Sequence, residues 1–228
     1  MSVQIGWSVR AAVIGAMAIL AIIADTGYAR AGELTAQISD DDGHPVADAV
    51  VAMTPVDPAL LAAAPKSLWA PLQMGEVDQR DETFFPYVEI VARGGQVVFR
   101  NSDEPQHHVY SFSPVKAFEF VLRPGTTSTP VVFDKAGVAA IGCNIHDQMI
   151  AYIYVTETPW IAVTDRKGQA HIADLPPGVF TAQVWHPAQR PGKGGPGQAV
   201  TISDAPATLA VTVALLPMRR RDREHGLY

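Results

Sequence analysis

The most informative stretch of this chain is GCNIHDQM, residues 142–149, which lies between two apolar runs. The runs Val138–Ile141 and Ile150–Val155 are rich in β-branched and small apolar residues, a composition that predicts two β-strands. The residues between them therefore form the tip of a hairpin, and they include a cysteine, a histidine and a methionine at intervals of three. At this spacing a thiol, an imidazole and a thioether lie on one short loop and can converge on one point.

Cys143, His146 and Met149 match three of the four ligands of a type 1 copper site. Such a site combines one thiolate and two imidazoles with a long, weak thioether bond, because sulfur favours Cu(I) and nitrogen accommodates Cu(II). The fourth ligand must be a second histidine. The histidines outside the loop are His44, His107, His108, His171, His186 and His225. The pair at 107–108 begins a β-branched and aromatic strand after a turn, so it is the natural donor.

Each of these residues alone has an ordinary structural explanation. A lone Cys143 is more often a buried structural residue than a ligand, and Met149 alone is more often core packing. His186, at the end of an apolar run, is more often a polar residue than a metal ligand. The case for copper therefore depends on the joint spacing of the donors and on their place between two strands, with another metal in a similar site as the alternative.

The region also resembles the cupredoxins, the family of type 1 (blue) copper proteins, and within it amicyanin and, less closely, plastocyanin. The spacing C-x-x-H-x-x-M has the amicyanin loop length, F-x-x-x-G at 133–137 precedes it, and Asn101 is followed by His107 and Val109. The resemblance covers about residues 78–156. It implies an eight-stranded Greek-key sandwich in which His107 is the N-terminal ligand of one copper ion, together with Cys143, His146 and Met149.

Three departures from that family limit what the resemblance implies. His108 stands where these relatives commonly have asparagine, and Asn144 stands where they often have threonine or serine. Those two side chains commonly hydrogen-bond to each other, so we hypothesise that His108 and Asn144 brace the ligand loop with exchanged chemistry. Ile145 and Asp147 replace the prolines of the amicyanin loop, so the docking surface of amicyanin cannot be transferred to this chain.

The rest of the chain predicts a second β-sandwich, and the fold class is all-β. A strand and a DDDG turn near the N-terminus, joined to the LPPG turn and strand near the C-terminus, resemble a carboxypeptidase regulatory-like domain, an Ig-like sandwich of the prealbumin type. We therefore predict a discontinuous outer domain at 33–57 plus 158–217, with a cupredoxin domain inserted at 72–157. The alternative is two sequential sandwiches, joined end to end, with a stray N-terminal strand.

Short runs between turn signals predict strands along the whole chain. The predicted strands are Glu33–Ser39, Ala49–Met53, Tyr87–Ala92, Gln96–Arg100, His108–Phe112, Pro130–Phe133, Val138–Ile141, Ile150–Thr156, Val179–Trp185 and Ala207–Leu216. One helix is predicted at residues 57–64, where Asp57 can cap the N-terminus and Pro58 can be the first helical residue.

Residues 1–31 are predicted to be a signal peptide. Arg10 precedes the apolar run Ala11–Ala24, and small residues follow, so cleavage is expected after Ala29 or Ala31. The run is shorter than the roughly 20 residues that span a bilayer, so an uncleaved membrane anchor is the less favoured alternative. The mature protein is therefore expected to be exported or periplasmic, with no transmembrane anchor after cleavage.

The charge and the motifs exclude several classes of function. Without Arg10, Arg30 and Asp25 the formal charge changes from −6 to −7, and an acidic protein does not favour a nucleic-acid partner. The basic residues at 218–228 are expected to be a solvated tail. The sequence has no nucleophile elbow, no phosphate loop and no second copper cluster, so an enzyme is not predicted.

The predicted function is a periplasmic type 1 copper protein that carries single electrons between redox partners. The resemblance suggests a cytochrome or a dehydrogenase as the partner, which is an analogy. The alternative is a copper-binding or sensing module in which the outer sandwich is the interaction surface and electron transfer has no role. A structural adhesion module without metal is disfavoured, because all four ligand types are present.

Overall fold

The structure is a computed structural model, and it describes residues 31–190 and 197–216. The predicted signal peptide, apart from its last residue, and the predicted basic tail at 218–228 lie outside these ranges. Among the described residues, no helix is both long enough and apolar enough to cross a membrane.

Strands dominate the described part of the chain. They are β1 (Gly32–Asp40), β2 (Val50–Pro55), β3 (Met74–Arg80), β4 (Thr83–Phe85), β5 (Val88–Ala92), β6 (Gln96–Asn101), β7 (His107–Ser113), β8 (Lys116–Leu122), β9 (Val131–Val132), β10 (Gly137–Cys143), β11 (Ile150–Thr156), β12 (Ile161–Val163), β13 (Gln169–Leu175), β14 (Gly178–Trp185), β15 (Gln198–Ile202) and β16 (Ala207–Val213). The all-β prediction is confirmed.

Short helices occupy the connection between β2 and β3. They are α1 (Pro58–Ala62), α2 (Lys66–Trp69) and a 3₁₀ turn (Ala70–Leu72). Asp57 caps α1, because its Oδ1 accepts a hydrogen bond of 2.9 Å from Ala59 N and Pro58 supplies a preset first turn. The helix predicted at 57–64 is therefore present, and it is shorter than the sequence pattern indicates.

Segments from the two ends of the described chain build one sandwich, which we call the outer sandwich. Its sheets have the strand orders β13-β1-β16 and β12-β2-β14-β15. Strand β1 pairs antiparallel with β13 and parallel with β16, so the N-terminal strand lies between two C-terminal ones. The large buried side chains of its core are Leu34, Ile38, Met53, Trp160, Leu175, Phe180 and Ile202.

The segment between them builds a second sandwich, which we call the central sandwich. Its sheets have the orders β5-β11-β10-β7-β8 and β4-β3-β6-β9. Phe84, Phe99 and Phe133 fill its core, and Cys143 and Met149 belong to the same apolar cluster. Burying these aromatic rings holds the two sheets together, since apolar area removed from water is the main favourable term in folding. The domain limits predicted from the sequence stay a prediction.

An aromatic contact joins the two sandwiches. Trp185, at the end of β14 in the outer sandwich, lies with its ring centroid 5.7 Å from that of Tyr152 and 5.7 Å from that of Tyr154 on β11. Both tyrosines are on the face of β11 that points away from the central core, because the strand alternates inward and outward positions. The outer face of this sheet is thus partly covered by the outer sandwich.

Glu89 on β5 is the carboxyl group of the central sandwich whose ionisation is most affected by burial. It lies over Gly75 of β3, where an added Cβ would be 2.6 Å from Glu89 Oε1. Burial, aided by the nearby charge of Glu76, raises the pKa of Glu89 from 4.5 to about 7. Glu89 is therefore protonated in the folded protein at mildly acidic pH.

We predict that Glu89→Gln removes a pH dependence of stability. In the wild type the folded state keeps its proton while the unfolded state loses it, so the free energy of unfolding falls as pH rises from 4.5 to about 7. The variant should be the more stable protein at about pH 8, by about 3 kcal/mol, and nearly equal at about pH 4. Urea unfolding at both pH values measures this, with the exposed Glu33→Gln as control. An equal difference at both pH values would contradict the assignment.

Candidate metal centre

Cys143 is the last residue of β10, and its side chain is buried in the central core with 2% exposure. Gly142 pairs with Ile150 of β11 on one side, and Cys143 pairs with Val109 of β7 on the other. The thiol is therefore fixed by two neighbouring strands. The chain then leaves the sheet, and a hydrogen bond of 3.0 Å from Met149 N to the His146 carbonyl turns it back toward β11.

The alternation of β7 decides between His107 and His108. His107, Val109 and Ser111 are buried, whereas His108 is partly exposed on the opposite face. Since successive side chains of a strand point to opposite faces, only one of two adjacent histidines can point into the core beside Cys143. That residue is His107, with no measurable exposure.

Three of the predicted ligands converge. The Nδ1 atoms of His107 and His146 lie 3.6 Å and 3.9 Å from Cys143 Sγ. The two imidazole centroids are 5.1 Å apart with the rings inclined at 57°. One potential ligand atom from each residue lies within 4.8 Å of those of the other two, which is a spacing that one metal ion can bridge.

Met149, the fourth predicted ligand, is at the end of the same loop. It is 3% exposed and packs in the apolar cluster that contains Cys143. Its neighbours Gln148 and Ile150 are exposed, so the chain turns its thioether inward at this one position. Apolar groups therefore close the centre on the core side. Of His107, Cys143 and His146, only His146 has a partly exposed side chain, at 18%.

Asp103 fixes the orientation of the buried histidine, and sequence analysis missed it. Its Oδ2 is 2.9 Å from His107 Nε2, and its side chain is 10% exposed. A carboxylate accepts the Nε2–H hydrogen, so the Nδ1 lone pair is left to face Cys143. The signal available in the sequence was a carboxylate four residues before His107, in a turn with no other assigned role.

Asn101 shapes the loop that carries Asp103. Its Nδ2 donates to the carbonyls of Pro105, at 2.9 Å, and Leu122, at 3.1 Å, and its Oδ1 accepts from Asp103 N at 2.9 Å. The side chain is fully buried, and all three bonds are made to backbone groups, two in the loop and one at the end of β8. Asn101, noted in the sequence only for its spacing to His107, therefore organises the whole segment between β6 and β7.

His108 and Asn144 contact each other beside the centre. Asn144 N donates to the His108 carbonyl at 2.9 Å, and Asn144 Nδ2 lies 3.5 Å from His108 Nδ1. His108 Nε2 lies 3.8 Å from Glu119 Oε2 on β8. In the Nε2–H tautomer, His108 Nδ1 can accept the hydrogen of Asn144 Nδ2, so the geometry is compatible with the hypothesised brace across the ligand loop.

A second group of potential ligands lies far from this centre in sequence, at Asp40, Asp42 and His44. It forms an exposed turn, in which Asp40 Oδ1 accepts hydrogen bonds from Asp42 N at 3.0 Å and His44 N at 2.8 Å. These bonds account for the turn without a metal. His186 is also accounted for: it is buried, its Nδ1 accepts from Ala188 N at 3.1 Å, and burial lowers its pKa to about 4.

Comparison of this chain with known proteins finds similarity only to solved structures. No family model and no curated protein matches the sequence. A purple cupredoxin from Nitrosopumilus maritimus is 18% identical over 36% of this chain and 99% of its own, with a TM-score of 0.32. An oxidised proline-to-glycine mutant of amicyanin is 20% identical over 36% of this chain and 82% of its own, with a TM-score of 0.34.

A copper-containing nitrite reductase from Thermus scotoductus SA-01 is 24% identical over 36% of this chain, with a TM-score of 0.32, and the match spans 22% of the reductase. These neighbours are cupredoxins at low similarity. The carboxypeptidase regulatory-like character of the outer sandwich is not supported by the comparisons and stays a prediction.

We predict that Asp103→Asn destabilises the metal-free protein by about 1–3 kcal/mol. The two oxygens of Asp103 accept hydrogen bonds from Asp81 N, Glu82 N and His107 Nε2. Asparagine keeps only one of these oxygens, and its amide N–H₂ group would face a donor in place of the other. Urea unfolding followed by circular dichroism measures the loss. The neighbouring exposed carboxylate supplies the control, Glu104→Gln, and equal stabilities for the two variants would contradict the role given to Asp103.

We also predict that His108→Ala loosens the ligand loop. The backbone bond from Asn144 to residue 108 survives, but the side-chain contact does not, so affinity for Cu(II) should fall about 10-fold or more. Competition with a chelator measures the affinity, and His171→Ala, an exposed histidine of the outer sandwich, is the control. An unchanged copper affinity and spectrum would count against the brace.

Proposed function

We propose that this protein binds one copper ion at His107, Cys143, His146 and Met149, and that it carries single electrons between redox partners in an exported or periplasmic compartment. The observation that supports the proposal is the convergence of one thiol and two imidazole Nδ1 atoms at the edge of an apolar core, with each potential ligand atom within 4.8 Å of the other two.

The donor set fits copper. One thiolate and two imidazoles beside a methionine are the ligands of type 1 copper, whereas structural zinc sites usually use four strong cysteine or histidine ligands. In this chain the fourth nearby residue is a buried methionine, a weak ligand. With copper bound, the centre would exchange one electron between the Cu(II) and Cu(I) states.

The protein's contribution is to hold the ligands in one arrangement. Cys143 is fixed by pairing to β7 and β11, and Asp103 fixes the ring of His107. Apolar packing around Cys143 and Met149 excludes water from the inner side. A ligand set that moves little between two oxidation states is what rapid electron transfer requires, and a strand framework provides that rigidity.

His146 provides the route by which electrons would enter or leave. Its side chain is 18% exposed, whereas His107 and Cys143 are almost completely buried. A partner protein can therefore approach this imidazole edge. By analogy the partner is a cytochrome or a dehydrogenase, and we propose a carrier rather than an enzyme because the donor set provides redox exchange without a substrate-activating group.

The decisive experiment adds Cu(II) to the purified mature protein. The proposal expects strong absorption near ~600 nm and a reversible one-electron couple. Cys143→Ser should abolish the absorption, because the sequence contains no other cysteine to supply a thiolate. His44→Ala, a matched histidine away from the centre, should keep it.

The same titration separates the alternative function. Binding of Cu(I) alone, without colour and without a reversible couple, would contradict the carrier and favour a copper-binding or sensing module. Colour that persists in Cys143→Ser would contradict the assignment of the thiolate.

A further inference from the structure

The turn between β3 and β4 has an unusual backbone and lies beside the metal centre. Asp81 and Glu82 both have positive φ, 51° and 54°, at the centre of a two-residue hairpin turn. Glycine and asparagine are the residues most often found at such positions, because a Cβ is disfavoured there. The chain nevertheless carries two acidic residues, Asp81 and Glu82, at these positions.

Asp103 anchors the turn to the centre. Its Oδ1 accepts from Asp81 N at 2.6 Å, and its Oδ2 accepts from Glu82 N at 3.0 Å. The same Oδ2 is 2.9 Å from His107 Nε2. One carboxylate therefore fixes the position of the turn relative to His107, and with it the position from which the Glu82 side chain extends.

That place is the outer edge of His146. Glu82 Oε1 lies 3.6 Å from His146 Nε2, with the two side chains 49% and 18% exposed. The distance is slightly longer than a hydrogen bond, and a small rotation of the long Glu82 side chain would close it. The other ring nitrogen of His146, Nδ1, faces Cys143 Sγ at 3.9 Å.

We propose that Glu82 is a positioning residue for His146. It accepts the Nε2–H hydrogen of that imidazole, which holds the ring with its Nδ1 lone pair directed to the centre, as Asp103 does for His107. Both histidine ligands are then oriented by carboxylates, and both carboxylates belong to one connected unit, since Asp103 holds the turn that carries Glu82. This inference rests on the proposed function insofar as His146 is taken as a copper ligand.

The competing explanation is that Glu82 and His146 form an incidental surface ion pair. Glu82 would then act on His146 only through its negative charge. Asp81 allows the two to be separated, because it lies in the same turn, carries the same charge and makes no polar contact with His146 in the described structure. Asparagine suits positive φ, so substitution by asparagine does not strain the turn.

The test uses three variants of the full mature chain. Glu82→Asn is neutral and too short to reach His146, Glu82→Gln is neutral but keeps an acceptor oxygen within reach, and Asp81→Asn removes a charge while leaving the contact in place. The first readout is ¹⁵N NMR of the His146 ring in metal-free protein at a pH where the imidazole is neutral. The second is Cu(I) affinity by competition with a chelator.

The proposal expects one ordered ring with its proton on Nε2 in the wild type, in Glu82→Gln and in Asp81→Asn. In Glu82→Asn the ring signals should broaden or divide between tautomers, and Cu(I) affinity should fall about 10-fold or more. Restoration of order and affinity by glutamine identifies the hydrogen-bond acceptor, rather than the charge, as the cause.

Two outcomes would overturn the inference. One is a His146 ring in Glu82→Asn that is as ordered as in the wild type. The other is an equal loss of affinity in Glu82→Asn and Asp81→Asn, which would assign the effect to charge. Failure of the proposed function is distinguishable, because it would show as absent colour and absent redox couple, whereas the ring order is measured without metal.

Discussion

The sulfur of Cys143 at the end of β10 is the point around which the candidate centre is built. Because β10 pairs with β7 and β11 on its two sides, the position of this atom is set by the central sheet and not by the loop that follows. The loop needs only to bring His146 and Met149 back toward it. A short loop suffices for that, and this explains why three donors can lie within seven residues of sequence.

The polar groups around the centre form a connected arrangement, and its fully buried members, Asn101 and His107, both have hydrogen-bond partners. Asn101 is hydrogen-bonded to the loop backbone, and Asp103 is hydrogen-bonded to the β3–β4 turn and to His107. The turn places Glu82 Oε1 3.6 Å from His146 Nε2. A buried polar group without a partner costs free energy, so such an arrangement is stable only when it is nearly complete. The orientation of the ligands is thereby tied to the folding of two loops that contain no donor.

The two sandwiches meet on the outer face of the sheet that holds Cys143. Trp185 packs against Tyr152 and Tyr154 there, and the centre lies at the end of the same sheet, next to the turn between β10 and β11. The aromatic contact involves side chains of β11 and β14, whereas the partly exposed His146 is on the loop between β10 and β11.

The sequence by itself determined the all-β architecture and singled out the candidate donors at 143, 146 and 149, because strand alternation and loop spacing are local properties of the chain. The sequence pattern did not reveal β3. Two residues of this strand, Asp78 and Gln79, are polar and buried. Ser102 Oγ donates to Asp78 Oδ2 at 3.0 Å, and Gln79 Nε2 donates to the Arg100 carbonyl at 2.9 Å. Buried polar residues that bond to distant partners remove the alternation of apolar and polar residues on which strand prediction depends. It also missed β8, whose alternation was visible in the sequence.

The histidine pair shows the same division. Residue types alone left His107 and His108 open as the upstream donor, and the resemblance to cupredoxins favoured the first. Only the pleat of β7 against β10 places one inside and the other outside. Asp103 and Glu82 were not predicted for a related reason: the contacts of Asp103 with the β3–β4 turn and of Glu82 with His146 join segments distant in sequence, and such contacts depend on the tertiary structure.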